Sequence, residues 1–523
     1  MVQTSSSKSS NMKKALITLL GATCFSCSNY LDLQDNNTLN QDSFWKTEDH
    51  LNLAVTAAYE SLTPEELYGR GIRDLDCISD NGYNEWTWMQ YWDISVGQHN
   101  PATDRIGWVW NDNYKGIRRA NEILDNAPGM SINAEAKDIA IGEALFLRGL
   151  FYNNLNMLFN NVPLILKVVS PQEARIEKSS KEEVFDQIIE DLSNAIELLP
   201  EKGEFVGKIN KYAAIALRAR VYLYHQEYEK ALKDCEEVIN SGQYRLMDDY
   251  KQLFTAEGQN SSESIFSVQF ISNMRSGEKF SGTYKKQPQS HFGVLPNLVH
   301  DFYTKNGLKP EDDPDATPFS VWADEKGVPK SAKELEAEGL SIFDYWAEFA
   351  NRDPRLDHSI LRGGEPWLDQ EKWDNVVKAT KYGIQKYIRE EVGMYGDGDR
   401  NFMIIRYADV LLMYAEAKNE FSGPSGDVFN ALNQVRRRVG MPDVDASLNQ
   451  ETLREEIRHE RRVELAFEGL RYFDELRWKT AKNDFENKVI FHERTFNEGK
   501  HYWWPIPQTE IDRNPNLSQN PGW

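Results

Sequence analysis

The densest set of groups able to grip a ligand is the run Asp80-Asn81-Gly82-Tyr83-Asn84-Glu85-Trp86-Thr87-Trp88-Met89-Gln90-Tyr91-Trp92. Indole and phenol rings offer planes to the C–H faces of a sugar, with polar edges beside them. Amide and carboxylate groups hold its hydroxyls. In a strand, Trp86, Trp88 and Gln90 share one face, with Asp80, Asn81 and Asn84 in loop reach and Tyr91 next to them. Large aromatics also serve as core anchors, but the accompanying Asn and Asp favour a binding role for the cluster.

Catalytic patterns fit poorly. His459-Glu460-Arg461-Arg462-Val463 begins like a zinc-protease helix, yet Val463 stands where the second metal-binding His is needed. Asp397-Gly398-Asp399-Arg400-Asn401 hints at a calcium loop but lacks its glycine and distal Glu. No phosphate-cradling glycine loop and no nucleophile elbow is present. A glycosidase needs two carboxylates at a fixed separation, which residue inventory cannot show, so it stays a minor alternative. No cofactor, metal or catalytic residue is expected.

The N-terminus reads as an address. Met12-Lys13-Lys14 precedes the apolar run Ala15 to Ala22, which is too short to cross a bilayer but suits a secretory signal. Cys27, preceded by Ser26, is the expected site of lipidation, with Cys24 the runner-up anchor. The Cys24-x-x-Cys27 spacing could also suggest redox or metal chemistry, but neither a helix start nor a second ligand pair accompanies it. Cys77 and Cys235 are expected to be buried thiols.

Composition supports a globular, ligand-binding body. The 523 residues are 40% hydrophobic and 27% charged, with a net charge of −22. That balance argues against nucleic acid, which requires a basic surface. Helical periodicity appears from Tyr114 to Leu124 and from Glu135 to Phe159, where Ala144, Leu147, Phe151 and Leu155 share a face. It continues through Lys181–Leu199 and Asn210–Ile239, where alternating small and large residues resemble a tetratricopeptide-type repeat. A last block covers Arg406–Glu420, Phe429–Val439 and Leu453–Trp478. In the final helix Val463, Phe467, Leu470 and Phe473 form an apolar stripe. The pairs Glu455–Arg458, Arg461–Glu464, Glu468–Arg471 and Asp474–Arg477 are expected to form a solvated charged face, the alternative being a buried arginine–carboxylate network that locks helix pairs together. Between the blocks, Gly, Pro, Asn and aromatics dominate, with short β-like runs such as Ser264–Phe270.

The fold class expected is therefore mainly α: tetratricopeptide-like helix pairs as a scaffold, with an irregular loop-rich half containing short β-strands. The expected division is a signal peptide over 1–26, a tether over 27–42 and a single body over 43–523. Within the body, helical blocks span about 114–243 and 402–480, and a loop-rich insertion spans about 244–401.

Several motifs in order resemble the SusD/RagB family of outer-membrane lipoproteins. They are Ser43-Phe44-Trp45 with Ala54 to Tyr59, Glu143 to Gly149 with Val162-Pro163-Leu164, and Asn351 to Leu356. Arg406-Tyr407-Ala408-Asp409 through Ala417, Glu460 through Arg471, and Trp504-Pro505-Ile506-Pro507 complete the set. The resemblance implies four tetratricopeptide-like helix pairs and a ligand-facing irregular half, and it makes Tyr284, His291, Phe292 and Trp322 of the middle loops further candidates for contact with the ligand. It also implies a lipid-anchored protein, facing the cell surface, that captures an oligosaccharide for a SusC-type TonB-dependent transporter. A scaffold binding only protein or peptide partners is the alternative.

Overall fold

The computed structural model describes residues 44–84, 90–272, 277–280, 292–316, 321, 323–328, 330–339, 351–362, 380, 382–388 and 398–523. The expected signal peptide and tether lie outside these residues, as does Cys27. Ten longer helices carry the body: α1 (Glu48–Glu60), α2 (Asp104–Asn126), α3 (Ala134–Phe159), α4 (Lys181–Leu198), α5 (Lys211–Tyr224), α6 (Tyr228–Asn240), α7 (Tyr407–Ser422), α8 (Gly426–Arg438), α9 (Gln450–Glu464) and α10 (Arg471–Trp478). Side-chain caps fix many of their starts. Ser180 and Glu183 form a reciprocal capping box on α4, and Asn133, Asn210 and Asn449 accept backbone N–H groups on α3, α5 and α9.

Each helix from α2 to α8 packs on the next, so the scaffold is a continuous stack. Helix α2 begins ten residues before the periodicity first noticed at Tyr114, and buries Ile106, Val109, Trp110, Ile117, Ala120 and Ile123 along one stripe. Gly116 lies where α2 meets α3; a Cβ there would sit 2.3 Å from the Phe151 ring. The central helices α3 and α7 are covered on all sides. From Gly142 to Phe159, and from Tyr407 to Ala417, every residue is buried. The face formed by Ala144, Leu147, Phe151 and Leu155 is thus only part of what α3 buries.

Six short strands form three two-stranded antiparallel ladders: β1 (Gly82–Asn84) with β3 (Phe292–Val294), β2 (Ser264–Val268) with β6 (Phe402–Arg406), and β4 (Ile360–Arg362) with β5 (Tyr382–Ile384). Strand β6 runs straight into α7, so Arg406 stands at the junction. Most of the buried apolar side chains join one cluster. Cys77 and Cys235 are both buried thiols. Among the described residues, no helix is long and apolar enough to cross a membrane.

Two expectations for the last helical block require correction. The run Leu453–Trp478 is two helices, because Phe467 and Gly469 take left-handed φ values of 60° and 79°. A Cβ on Gly469 would lie 2.3 Å from the Ile72 carbonyl oxygen, so this close approach requires glycine. Val463 and Phe473 are helical, whereas Phe467 and Leu470 are buried in the break between α9 and α10.

The charges around that break are buried, not solvated. Arg461 holds Asp409 at 2.8 Å and Asp474 at 3.2 Å; Arg406 holds Glu263 at 2.8 Å, Glu464 at 2.6 Å and Glu468 at 2.8 Å. Arg355 bridges Asp353, Glu460 and Glu464, and Arg477 holds Glu416 at 2.7 Å. The main partners come from distant segments, which spacing along one helix does not reveal. Only Glu455–Arg458 keeps the expected surface character.

Candidate ligand-binding face

The β1–β3 ladder determines where the aromatic segments attach. Asn84 pairs with Phe292, Tyr83 with Gly293 and Gly82 with Val294. Asn84, just before residues 85–89, and Phe292, just after residues 281–291, thus stand opposite each other at one end of the ladder. Strand β5 packs against β3, and both the backbone N–H and the hydroxyl of Thr380 donate to the Tyr83 phenol oxygen at 3.2 Å. The chain joining β4 to β5 is thereby tied to the same platform. Gly327 lies against Pro296 and His300 of the short helix that follows β3, which ties residues 323–328 to it as well. Trp86, Trp88, Tyr284, His291 and Trp322 lie outside the described residues.

Beneath the ladder, the platform is held by guanidinium groups. Arg471 donates to the two Asp80 carboxylate oxygens at 2.8 and 3.0 Å, and Arg462 lies 3.0 Å from the same carboxylate. Arg462 also donates to the Asn81 side-chain oxygen at 3.0 Å. Arg494 donates to the carbonyls of Ser79 and Gly82, and Asn297 to that of Asp80. Burial alone would raise the Asp80 carboxyl, but Arg462 and Arg471 outweigh it and hold the group far below the usual carboxylate range.

This geometry corrects four of the assignments made for the cluster. Asp80, Asn81 and Asn84 are completely buried, and Tyr91 is 1% exposed. The side chains of Asp80 and Asn81 are engaged by arginines, so they shape the base of the platform and do not grip ligand hydroxyls. Tyr91 packs edge-on against Phe292 with centroids 5.7 Å apart, and Arg105 covers its ring at 4.6 Å. Phe292 itself is fully buried. A polar residue beside a Trp-rich run looks the same in sequence whether it faces a ligand or pins the loop from below.

Rings outside the expected set accompany the platform. Trp92 stacks obliquely on His492 at 4.8 Å, and Trp108 is 46% exposed, with Arg105 5.2 Å from its ring. Trp108 sits off the buried stripe of α2, and that displacement is the signal by which sequence could have singled it out. The residues holding the platform, Arg462, Arg471 and Arg494, carry no such signal.

Metal chemistry finds little support at this face. Among the described residues, Asp80, Glu475 and Asp484 form the carboxylate cluster compact enough to hold an ion. Arg471 already serves it, at 2.8 Å from Asp80, 3.3 Å from Glu475 and 3.6 Å from Asp484. His459, the first residue of the zinc-like pattern, stacks on Tyr303 at 3.9 Å and binds the Asp301 carbonyl.

A family profile described as the SusD family matches residues 262–523, and one described as starch-binding and associating with the outer membrane matches residues 29–223. SusD-like protein P2 of Formosa agariphila is 28% identical, with 98% of this chain and all of that protein aligned. The starch-binding protein SusD of Bacteroides thetaiotaomicron is 24% identical over 84% of this chain and 83% of its own. The crystal structure of a SusD-like carbohydrate-binding protein from Bacteroides fragilis superposes with a TM-score of 0.79 at 25% identity, covering 91% of this chain and all of that one. The stacked helices, the loop-bearing platform and these matches together place the chain in the SusD family.

Proposed function

We propose that this protein captures an oligosaccharide at the outer membrane and passes it, unaltered, to a SusC-type TonB-dependent transporter. The observation supporting this reading is that described residues close in sequence to Trp86, Trp88, Tyr284 and Trp322, namely Asn84, Phe292 and Gly327, gather at the β1–β3 ladder and the short helix after it. Family membership and the carbohydrate-binding names of relatives support it. The protein is a binder and not an enzyme: binding planes serve capture, while cleavage is left to other proteins. Lipidation at Cys27, with the chain facing the cell surface, would keep the platform beside the transporter mouth. The folded chain reads as one ligand-binding body.

A glycan-array screen with the purified protein tests the reading. Binding of at least one oligosaccharide without accumulation of new reducing ends is expected. Trp86→Ala and Trp88→Ala should each weaken that binding about tenfold, since a lost stacking contact costs about 0.5–1.5 kcal/mol beyond area burial. A protein that binds no glycan, or that releases reducing ends, removes the proposal. Co-purification from membranes with a barrel of the transporter class tests the second half.

A further inference from the structure

A cleft opens where α9 and α10 meet residues 301–309. Its cavity is about 280 Å³, and its walls include Tyr303, Lys309, Arg458, His459, Trp478 and Thr480. Sites for small ligands occupy roughly 300–1,000 Å³, so this one matches a single sugar ring. The Trp478 ring has guanidiniums nearby, Arg458 at 4.8 Å and Arg477 at 4.6 Å, and Tyr303 is covered by His459. Recognition here must therefore come mainly from hydrogen bonds and charge.

The acids lining the cleft already have partners. Arg462 holds Asp301 at 2.8 Å, Lys488 holds Asp484 at 2.8 Å, Arg458 reaches Glu455 at 3.2 Å and the Tyr303 hydroxyl donates to Glu456 at 3.3 Å. What remains is mostly donor capacity. The Arg458 Nε and the Thr480 hydroxyl are buried without a hydrogen-bond partner, and Lys309 makes no ion pair among the described residues. Two acceptors are left as well: an Asp484 oxygen that faces Lys488 but makes no hydrogen bond, and a nitrogen of His459. His459 Nε2 lies 2.7 Å from the Asp301 carbonyl and so carries the proton, which leaves Nδ1 as a buried lone pair without a partner. Unmade hydrogen bonds at buried atoms are costly, and a ligand that completes them gains correspondingly.

We propose that this cleft binds an acidic sugar residue, its carboxylate or sulfate held by Lys309, Arg458 and Thr480 while a ring hydroxyl donates to His459 Nδ1. The chain as a whole carries −22, so attraction of an anion depends on these local donors and not on the long-range field. The site goes beyond capture at the aromatic platform and does not require it.

The test is calorimetric titration of the full-length protein at constant ionic strength with glucuronate, glucose 6-sulfate, glucose and inorganic sulfate. Either acidic sugar should bind at least tenfold more tightly than glucose and than sulfate alone; the stronger of the two identifies the preferred anion. Lys309→Ala should weaken acidic-sugar binding about tenfold, the scale of a lost charge-assisted contact, and Thr480→Val severalfold. Lys309 is exposed and the Thr480 hydroxyl is unbonded, so both variants should keep the native melting temperature, which shows that they fold. Trp86→Ala should leave the acidic sugar bound. Glucose binding as tightly as glucuronate and glucose 6-sulfate overturns the anion assignment, and inorganic sulfate binding as tightly overturns the sugar. Acidic-sugar binding unchanged in both variants, or absent altogether, overturns the site. A protein that takes the acidic sugar but no neutral oligosaccharide keeps this cleft and loses the proposed aromatic site; the reverse result loses this one.

Discussion

Three buried carboxylates where α7, α9 and α10 meet, Asp409, Glu416 and Glu464, and two under the β1–β3 platform, Asp76 and Glu475, are held in opposite ways. Burial pushes all of them upward. In the scaffold, guanidiniums outweigh that push: Arg220 and Arg461 bring Asp409 down to about 2, Arg477 brings Glu416 to about 2, and Arg438, Arg406 and Arg355 hold Glu464 well below its usual value. At the platform, burial wins for two of the acids. Asp76 rises to about 7 despite backbone N–H groups from Phe467 and Arg471, and Glu475 is pushed well above its usual range by burial and the neighbouring Asp80 charge. Each of these two acids also keeps one buried oxygen without a hydrogen-bond partner. The difference is one of supply: Asp409, Glu416 and Glu464 are each reached by closely placed arginines, while Asp80 takes most of what Arg462 and Arg471 offer.

The largest expected effect comes from acid. Scaffold carboxylates with lowered folded values contribute stability that is complete above their unfolded values near 4 and is lost as pH falls toward 2. Each contributes about 2–3 kcal/mol, so denaturation midpoints should collapse across that window; midpoints unchanged at pH 3 would break the comparison. Next is Arg406→Met, which takes from Glu263, Glu464 and Glu468 the guanidinium they share and leaves the three acids to Arg438, Arg355 and Lys386. A loss of about 3–5 kcal/mol is expected in urea denaturation, and a change below about 1 kcal/mol would show that the network is not needed.

The platform should respond with the opposite sign. Asp76 is protonated more readily when folded, so its contribution strengthens as pH falls from about 7 to about 4. Asp76→Asn should flatten the stability profile in that range by roughly 2–4 kcal/mol while leaving the acid collapse in place. The smallest effect belongs to Tyr83→Phe, which removes the hydroxyl that accepts from Thr380. It should cost about 1 kcal/mol and appear more clearly as weakened oligosaccharide binding than as a lower melting temperature.

Much of the scaffold was legible because one-sided burial leaves a 3.6-residue rhythm, as in α2 and α6. Helices α3 and α7 blur that rhythm because they are covered all round, so only part of their buried surface was readable. The solvated face expected for Arg461, Glu464, Glu468 and Arg471 failed for a different reason. Charges three apart on a helix fit a surface pair, but Arg406, Arg438 and Asp409 arrive from elsewhere in the chain. The break at Gly469 depends on Ile72, almost four hundred residues earlier, and no local pattern encodes it. At the platform, the sequence pointed to the aromatic run but not to which polar neighbours face inward. Asp80 and Asn81 sit where binding groups were expected, yet their partners Arg462 and Arg471 lie far along the chain.

The register of Asn84 opposite Phe292 also bears on protein engineering. The segment 85–89 departs from a fixed strand and returns at Gln90, whose side chain accepts the Arg105 N–H, and at Tyr91, which packs on Phe292. Both ends are clamped by contacts that make no use of the intervening residues. The stretch is therefore a natural cassette: lengthening it, shortening it or exchanging it for that of a relative should retune cargo preference while the helices beneath keep their melting behaviour.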